Sequence, residues 1–259
     1  MSGVSVISQL GSPIPNTPHA VSVCLPLWRD NVDYEEGDVR VHDVLRSGYP
    51  RFVYHQSVRK LFALCLQHLK DHAATTTTTD QRYGADDDCL VFPSARVARE
   101  CKEFIVRFGQ PAPPQPASQD PSQQAATQQV LVVRIESLRL NGVELWAVVF
   151  PKTVARTAKH FWQHSGEIPS SRLAEYACRR GQVLSESEEL DEYVEEHYGR
   201  NMSWSSASAA RNALRRRISD ASGEAKQNVF LFPCGMSAIY NAHRFLRALS
   251  PDLKGVQFG

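Results

Sequence analysis

The feature that most constrains the fold of this 259-residue chain is an Asn-Gly pair placed between two long apolar runs. Residues 130–140 precede Asn141-Gly142, and residues 143–150 follow it. A two-residue Asn-Gly turn suits a β-hairpin because a type I′ turn needs positive φ at both of its central residues. The sequence therefore predicts an antiparallel hairpin over residues 130–150.

Two helices and two short strands are predicted ahead of the hairpin. Apolar residues recur at helical spacing from Val58 to Leu69 and again from Val97 to Phe108. Residues 51–55 and 89–92 are short apolar runs typical of strands. Strand, helix, strand, helix and hairpin together indicate an α+β or α/β sandwich of roughly 130 residues.

Three segments are too poor in apolar residues to join a core. Residues 1–20 are predicted to form a disordered arm, and residues 73–88 form a low-complexity loop. Residues 110–129 contain five prolines and seven glutamines but no aromatic residue, so 109–129 is predicted to be a solvated loop or linker. An α+β domain is expected to span residues 21–180, and the helical segments of 153–180 should break at Gly166 and Pro169.

Composition narrows the choice of partners. Lysine plus arginine number 29 and the acidic residues number 28, which gives a formal net charge of +1. This charge is too small to attract the chain as a whole to nucleic acid or to an anionic membrane. The six cysteines form no CxxC pair, and no apolar run reaches the ~20 residues of a membrane span. We expect reduced thiols and a cytoplasmic location. The His and Cys pairs at helical spacing offer too few ligands for zinc, so no metal site is predicted.

The segment from Asn228 to Ile239 is the best candidate for an anion site. It is predicted to form a buried apolar strand, a turn at Gly235 and then a helix. A glycine at such a junction lets backbone amides approach an anion, and the helix start adds free N–H groups. Ser237 could either cap the helix or donate its hydroxyl to the anion. An ordinary capped helix is the alternative, whereas a nucleophile elbow and a P-loop both fail on spacing.

A second anion-suited element lies upstream. The tyrosine and arginine of Tyr198-Gly199-Arg200 could both reach one phosphate if the backbone is extended there. An acidic helix is predicted before it, over residues 186–196. An amphipathic helix over residues 207–219 is predicted to connect it to the Gly235 turn.

These motifs resemble the Cys/Met-metabolism family of pyridoxal-phosphate enzymes of fold type I, and within it the fungal-type cystathionine gamma-synthases. The resemblance rests on Tyr198-x-Arg200, on a helix ending in Arg215 to Ile218, and on the run from Gly235 to Ile239. It rests further on two N-terminal blocks, His19 to Val23 with Trp28 to Asp38, and Gly48 to Phe52. It spans the chain except for weak stretches at 73–88 and 109–129. The fold it implies is α/β, with an α+β N-terminal domain followed by the first part of the transferase domain at 181–259.

The resemblance also implies a cofactor site. The amides of Gly235 and Met236 would hold the phosphate of pyridoxal 5'-phosphate. Tyr198 and Arg200 would contact the phosphate in a neighbouring subunit's site, which implies a homo-oligomer. Two departures from the family pattern are Asn201-Met202-Ser203 in place of Gly-Asn-Pro, and Cys234 in place of the common threonine.

The reaction implied for the family joins an activated homoserine ester to cysteine, in transsulfuration toward methionine. The ring-stacking tyrosine, the aspartate and the Schiff-base lysine of the family have no counterpart up to Gly259. No catalytic residue is therefore assigned, and the chain is expected to be an N-terminal fragment that is inactive alone. The alternative is a non-catalytic regulatory or protein-binding module.

Overall fold

A computed structural model of the chain describes residues 10–45, 53–75, 83–109, 131–179, 193–195, 200–202 and 207–255. Helices accompany antiparallel sheets, which confirms the predicted α/β class. The strands are β1 (Pro13–Ile14), β2 (Ser22–Val23), β3 (Asp87–Phe92), β4 (Arg134–Leu140), β5 (Val143–Pro151), β6 (Tyr193–Glu195) and β7 (Arg200–Met202). The helices are α1 (Trp28–Glu36), α2 (Val39–His42), α3 (Gln56–Thr75), α4 (Ala95–Phe108), α5 (Ala155–Ser165), α6 (Ser171–Cys178), α7 (Ala207–Ser222) and α8 (Gly235–Leu249), with 3-10 turns at Lys152–Val154 and Lys226–Asn228.

The chain divides into two compact units. One unit comprises residues 1–61, 141–143 and 163–259, and the other comprises 62–140 and 144–162. The predicted domain boundaries at residues 20 and 180 stay predictions. The linker predicted at 109–129 lies outside the described residues apart from Gly109.

The unit of residues 62–140 and 144–162 is built on a three-stranded antiparallel sheet with the order β3, β5, β4. β3 pairs with β5 so that Asp87 lies opposite Pro151 and Phe92 opposite Trp146. The turn between β4 and β5 has positive φ at Asn141 (46°) and Gly142 (74°), which confirms the predicted hairpin. The central strand β5 is buried from residue 147 to residue 150, as expected when both faces of a strand are covered.

Helices cover this sheet with the apolar stripes that the sequence predicts. The buried residues of α4 are Val97, Ala98, Cys101 and Ile105, and the helix contacts β3 and β4. α3 contains the predicted helix of residues 58–69. Phe161 of α5 meets Phe92 edge-on with ring centroids 5.9 Å apart, a favoured aromatic geometry.

The strand predicted at residues 51–55 is wrong for its described part, because residues 53–55 lead into α3 without pairing with a strand. His55 instead caps the helix. Its Nδ1 accepts a hydrogen bond from the Ser57 amide at 3.1 Å, so its Nε2 carries the proton and donates to the Pro18 carbonyl at 2.5 Å. Burial lowers the pKa of His55.

The block that begins at Trp28 forms α1 and a small ionic cluster. Asp30 accepts hydrogen bonds from the Leu27 amide (2.9 Å) and from Arg40 Nη2 (2.7 Å). Arg40 Nε also donates to Asp33 at 3.1 Å. Asp30 is only 2% exposed, and its hydrogen bond to Arg40 lowers its pKa. The acidic residues of this block therefore hold α1 to the start of α2.

Large apolar side chains are exposed along the last described segment. They are 61–72% exposed and comprise Phe230, Ile239, Phe245, Leu246, Leu249 and Leu253. No helix within the described ranges is long and apolar enough to cross a membrane. All six cysteines are free thiols.

Candidate functional site

The first turn of α8 carries two backbone amides that form no hydrogen bond to the described residues. Cys234 precedes the helix in an extended conformation, with φ −153° and ψ 168°. Gly235 and Met236 are the first two helical residues, so their N–H groups have no intrahelical acceptor. Neither amide has a hydrogen-bond partner among the described residues. Gly235 is exposed, and no atom lies within 4 Å of the position that a Cβ would take there.

Ser237 takes neither of its two predicted roles, as helix cap or as donor to an anion. Its hydroxyl donates to Oε1 of Glu167 at 2.7 Å, and the residue is fully buried. Cys234 caps the helix, since its Sγ accepts from the Ser237 amide at 3.4 Å. The departure from threonine at position 234 thus keeps a side chain that can cap.

A short segment after α5 packs against this turn. The predicted breaks at Gly166 and Pro169 are confirmed, because α5 ends at Ser165 and α6 begins at Ser171. Gly166 has a φ of +66°, and its carbonyl accepts from Cys234 Sγ at 3.5 Å. A Cβ on Gly166 would lie 2.6 Å from Cys234 Sγ and 2.9 Å from the Ser237 nitrogen. The close approach therefore requires glycine.

Glu167 and Asn241 belong to the site but were not found by sequence reasoning. Glu167 is 9% exposed, and its Oε1 accepts a second hydrogen bond from Asn241 Nδ2 at 2.8 Å. Ser237 and Asn241 are four residues apart and so share one face of α8. This spacing in the sequence indicates a polar contact on that face of α8. Nothing in the sequence pointed to Glu167 as the partner.

The buried strand predicted before Gly235 is wrong. Residues 229–232 are not in a strand, and Phe230 is 72% exposed. Within the described ranges no strand pairs with this segment, and a strand needs a neighbour for its backbone hydrogen bonds. Val229 is buried, and its carbonyl accepts from Arg215 Nε of α7 at 2.8 Å. This bond connects α7 to the segment that leads into the turn.

The Tyr198 and Arg200 pair is described only in part. Arg200 begins β7, where it lies opposite Glu195 of β6, so the backbone is extended at Arg200 as the phosphate hypothesis requires. Tyr198 lies outside the described residues. The acidic helix predicted over 186–196 is wrong at its described end, because residues 193–195 form β6 instead. Cross-strand pairing with β7 replaces the helical face that the charge pattern indicated.

No group of three or more His, Cys, Asp or Glu side chains that could hold a metal ion occurs in the part of the chain that the structure describes.

Comparison with known proteins shows what part of the chain is similar to. Residues 57–170 match the family described as the fungal trans-sulfuration enzyme, N-terminal domain. This part of the chain is therefore similar to that family's N-terminal domain, which confirms the resemblance. No solved structure matches the chain.

Individual relatives carry more specific names. The chain is 34% identical over 224 residues to cystathionine gamma-synthase of Saccharomyces cerevisiae, covering 79% of this chain and 32% of that protein. It is 28% identical over 335 residues to cystathionine gamma-synthase of Neurospora crassa, with 97% and 52% covered. It is also 25% identical over 260 residues to alanine racemase ungC of Aspergillus violaceofuscus, with 92% and 43% covered. The chain thus spans about a third to a half of the length of these relatives.

Proposed function

We propose that this chain is the N-terminal part of a pyridoxal-phosphate-dependent cystathionine gamma-synthase. The whole enzyme would join an activated homoserine ester to cysteine in transsulfuration toward methionine, in a reducing cytoplasmic compartment. The chain would supply the phosphate end of the cofactor site and would be inactive alone. The relationship to enzymes of that name supports the reaction class.

The observation that carries the proposal is the open first turn of α8. The amides of Gly235 and Met236 lie at the positive end of a 15-residue helix, where an anion is favoured. The position of a Cβ on Gly235 is open space, which leaves room for a phosphate group. Cys234 caps α8 through the Ser237 amide, so the cap does not use the amides of Gly235 and Met236. The residues present therefore fit the phosphate of the cofactor.

The four predicted site residues would bind the cofactor phosphate and would not take part in the chemical step. Gly235 and Met236 donate backbone N–H groups to phosphate oxygens. Tyr198 and Arg200 reach the phosphate of a neighbouring subunit's site within a homo-oligomer, and a charged hydrogen bond from Arg200 contributes about 1.5–3 kcal/mol. When bound, pyridoxal phosphate supplies an electron sink for the reacting amino acid. The chain's residues anchor and orient that group.

Substitution of Gly235 tests the phosphate site without disturbing the fold. Gly235 lies outside the left-handed region, and a Cβ there meets no atom within 4 Å, so Gly235→Ala should fold normally. Its methyl group would keep a phosphate away from the amides and lose one charged hydrogen bond, which weakens binding roughly 10- to 150-fold. The affinity for inorganic phosphate, followed by amide chemical shifts, measures the effect. Gly255→Ala is the control, because a Cβ at Gly255 also meets nothing within 4 Å.

Equal phosphate affinity in the wild type and Gly235→Ala would refute the site. For the reaction, the purified chain with pyridoxal phosphate, a homoserine ester and cysteine should form no cystathionine. Formation of cystathionine by this chain would contradict the fragment interpretation. A transcript that continues past residue 259 into a family-type aspartate and lysine would support it. Absence of such a continuation would favour a non-catalytic regulatory or protein-binding module.

A further inference from the structure

A buried carboxylate lies against the first turn of α8. Glu167 is 9% exposed, and one of its oxygens, Oε1, accepts from both Ser237 Oγ (2.7 Å) and Asn241 Nδ2 (2.8 Å). Asn241 Nδ2 also donates to the Ser237 carbonyl at 2.9 Å. Glu167 thus connects the segment after α5 to two successive turns of α8.

The hydrogen bond from Ser237 to Glu167 lies in the same helical turn as Gly235 and Met236. Ser237 follows them directly, and its amide is held by Cys234 Sγ. If Glu167 were lost, the hydroxyl of Ser237 and the amide group of Asn241 would lose an acceptor in a buried place, which is unfavourable. The carboxylate therefore holds the turn in the conformation that leaves the first two amides without a hydrogen-bond partner among the described residues.

The charge of Glu167 acts in the opposite sense to its hydrogen bonds. A carboxylate in contact with the first turn of a helix interacts favourably with the positive end of the helix dipole. It also repels a second anion bound to the same turn. The same side chain would thus order the phosphate-binding turn and limit how tightly that turn binds phosphate.

Resting on the proposed phosphate site, we propose that Glu167 is a positioning residue for that site. Its Oε1 fixes the first turn of α8 through Ser237 and Asn241, and its charge lowers the affinity for phosphate. Ser237 is committed to Glu167, so the phosphate is held here by the two backbone amides. Glu167 lies within the residues matched by the family's N-terminal domain, which would give that domain a positioning role at the proposed phosphate site.

Two substitutions separate the hydrogen bonds from the charge. Glu167→Gln keeps a carbonyl oxygen that can accept both hydrogen bonds, because both end on Oε1, and it removes the charge. Glu167→Ala removes both. Glu224→Gln is the matched control, since Glu224 is an exposed acid of the same unit that accepts from Asn228 Nδ2 at 3.2 Å.

Two measurements on the 259-residue chain read the two effects. Hydrogen exchange of the Ser237 and Ala238 amides, without added anion, reports opening of the turn. Glu167→Ala should speed it roughly tenfold or more, because buried polar groups lose their acceptor, and Glu167→Gln should stay within about twofold of wild type. Titration with inorganic phosphate, followed by the amide shifts of Gly235 and Met236, reports the affinity. Glu167→Gln should bind roughly two- to fivefold more tightly than wild type, and Glu167→Ala roughly fivefold more weakly than Glu167→Gln.

Equal exchange rates in wild type and Glu167→Ala would overturn the positioning role, as would equal phosphate affinity in the two Glu167 variants. A matching gain in affinity for Glu224→Gln would show that the charge effect is general and overturn its assignment to Glu167. If phosphate shifts no amide of the wild type, the proposed phosphate site itself fails. The exchange measurement, which needs no phosphate, then still decides whether Glu167 holds the turn.

Discussion

Replacing Gly166 with alanine should destabilise the start of α8 more than the same replacement at Gly223. Both glycines follow the last residue of a helix and have positive φ, +66° at Gly166 and +75° at Gly223. An alanine in this region costs about 1–2 kcal/mol of backbone strain at either position. The two sites differ in their surroundings. A Cβ at Gly223 meets nothing within 4 Å, whereas one at Gly166 lies 2.6 Å from Cys234 Sγ and 2.9 Å from the Ser237 nitrogen.

The steric overlap at Gly166 determines how much more stability Gly166→Ala loses than Gly223→Ala. The Ser237 nitrogen is backbone, so it cannot rotate away, and the helix start must shift to admit the methyl group. Overpacking of this kind typically costs about 1–3 kcal/mol. Gly166→Ala should therefore lower the free energy of unfolding by about 2–5 kcal/mol in total, and Gly223→Ala by about 1–2 kcal/mol.

Urea unfolding followed by pulsed hydrogen exchange and mass spectrometry measures the effect, with peptides from α8 as the readout. Peptides are needed because the chain has two compact units, and a single global transition cannot be assumed. Equal loss of stability in the two variants would refute the reasoning, since it would leave only the backbone strain that both positions share. An effect confined to peptides outside α8 would also contradict it.

Three further outcomes are expected. Asp30 has a lowered pKa in the folded chain, so its stabilising effect is present above the ordinary carboxyl pKa and is lost as the pH falls through the lowered value. When urea unfolding is measured across the acidic pH range, Asp30→Asn should reduce the loss of stability with falling pH. Arg40→Met should lower the urea midpoint at pH 7, because it removes the donor to Asp30. His55 also has a lowered pKa, so stability should fall as the pH drops below about 6.5. His55→Asn, which can still cap α3, should reduce that slope between pH 7.5 and 5.5, and an unchanged slope would assign it to another group. Asn141 Nδ2 donates to the carbonyls of Tyr176 (3.0 Å) and Arg179 (2.6 Å). Asn141→Gly keeps the turn but should cost about 1 kcal/mol in thermal unfolding, and no loss would show that water replaces these bonds.

Elements whose conformation is determined by residues close together in the sequence could be predicted. The hairpin at Asn141-Gly142 and the helices α3 and α4 follow local rules of turn geometry and apolar spacing. The strand predictions at 51–55 and 229–232 failed because an apolar run becomes a strand only beside a partner. His55 caps the start of α3 and is not in a strand. At Phe230 no described strand lies beside the segment.

The candidate site divides in the same way. The start of α8 at Gly235 could be predicted because a glycine and an amphipathic helical pattern are contiguous in sequence. The assignment of Gly235 and Met236 to a phosphate is implied by the family resemblance and stays a prediction. Glu167 is 70 residues from Ser237, and no periodicity connects residues that far apart. Its role depends on tertiary packing, where a left-handed Gly166 brings the chain against α8. For the same reason the sequence predicts only local roles for Ser237.

The exposed apolar residues between Phe230 and Leu253 have a practical consequence. Phenylalanine and leucine side chains that are 61–72% exposed offer binding surface for amphipathic dyes. The folded chain should therefore raise the fluorescence of ANS, a signal commonly taken as a mark of a molten state. Dye fluorescence would then overstate disorder in this protein, and thermal-shift assays that use hydrophobic dyes would begin from a high baseline. Tryptophan fluorescence or circular dichroism is the sounder reporter of its unfolding.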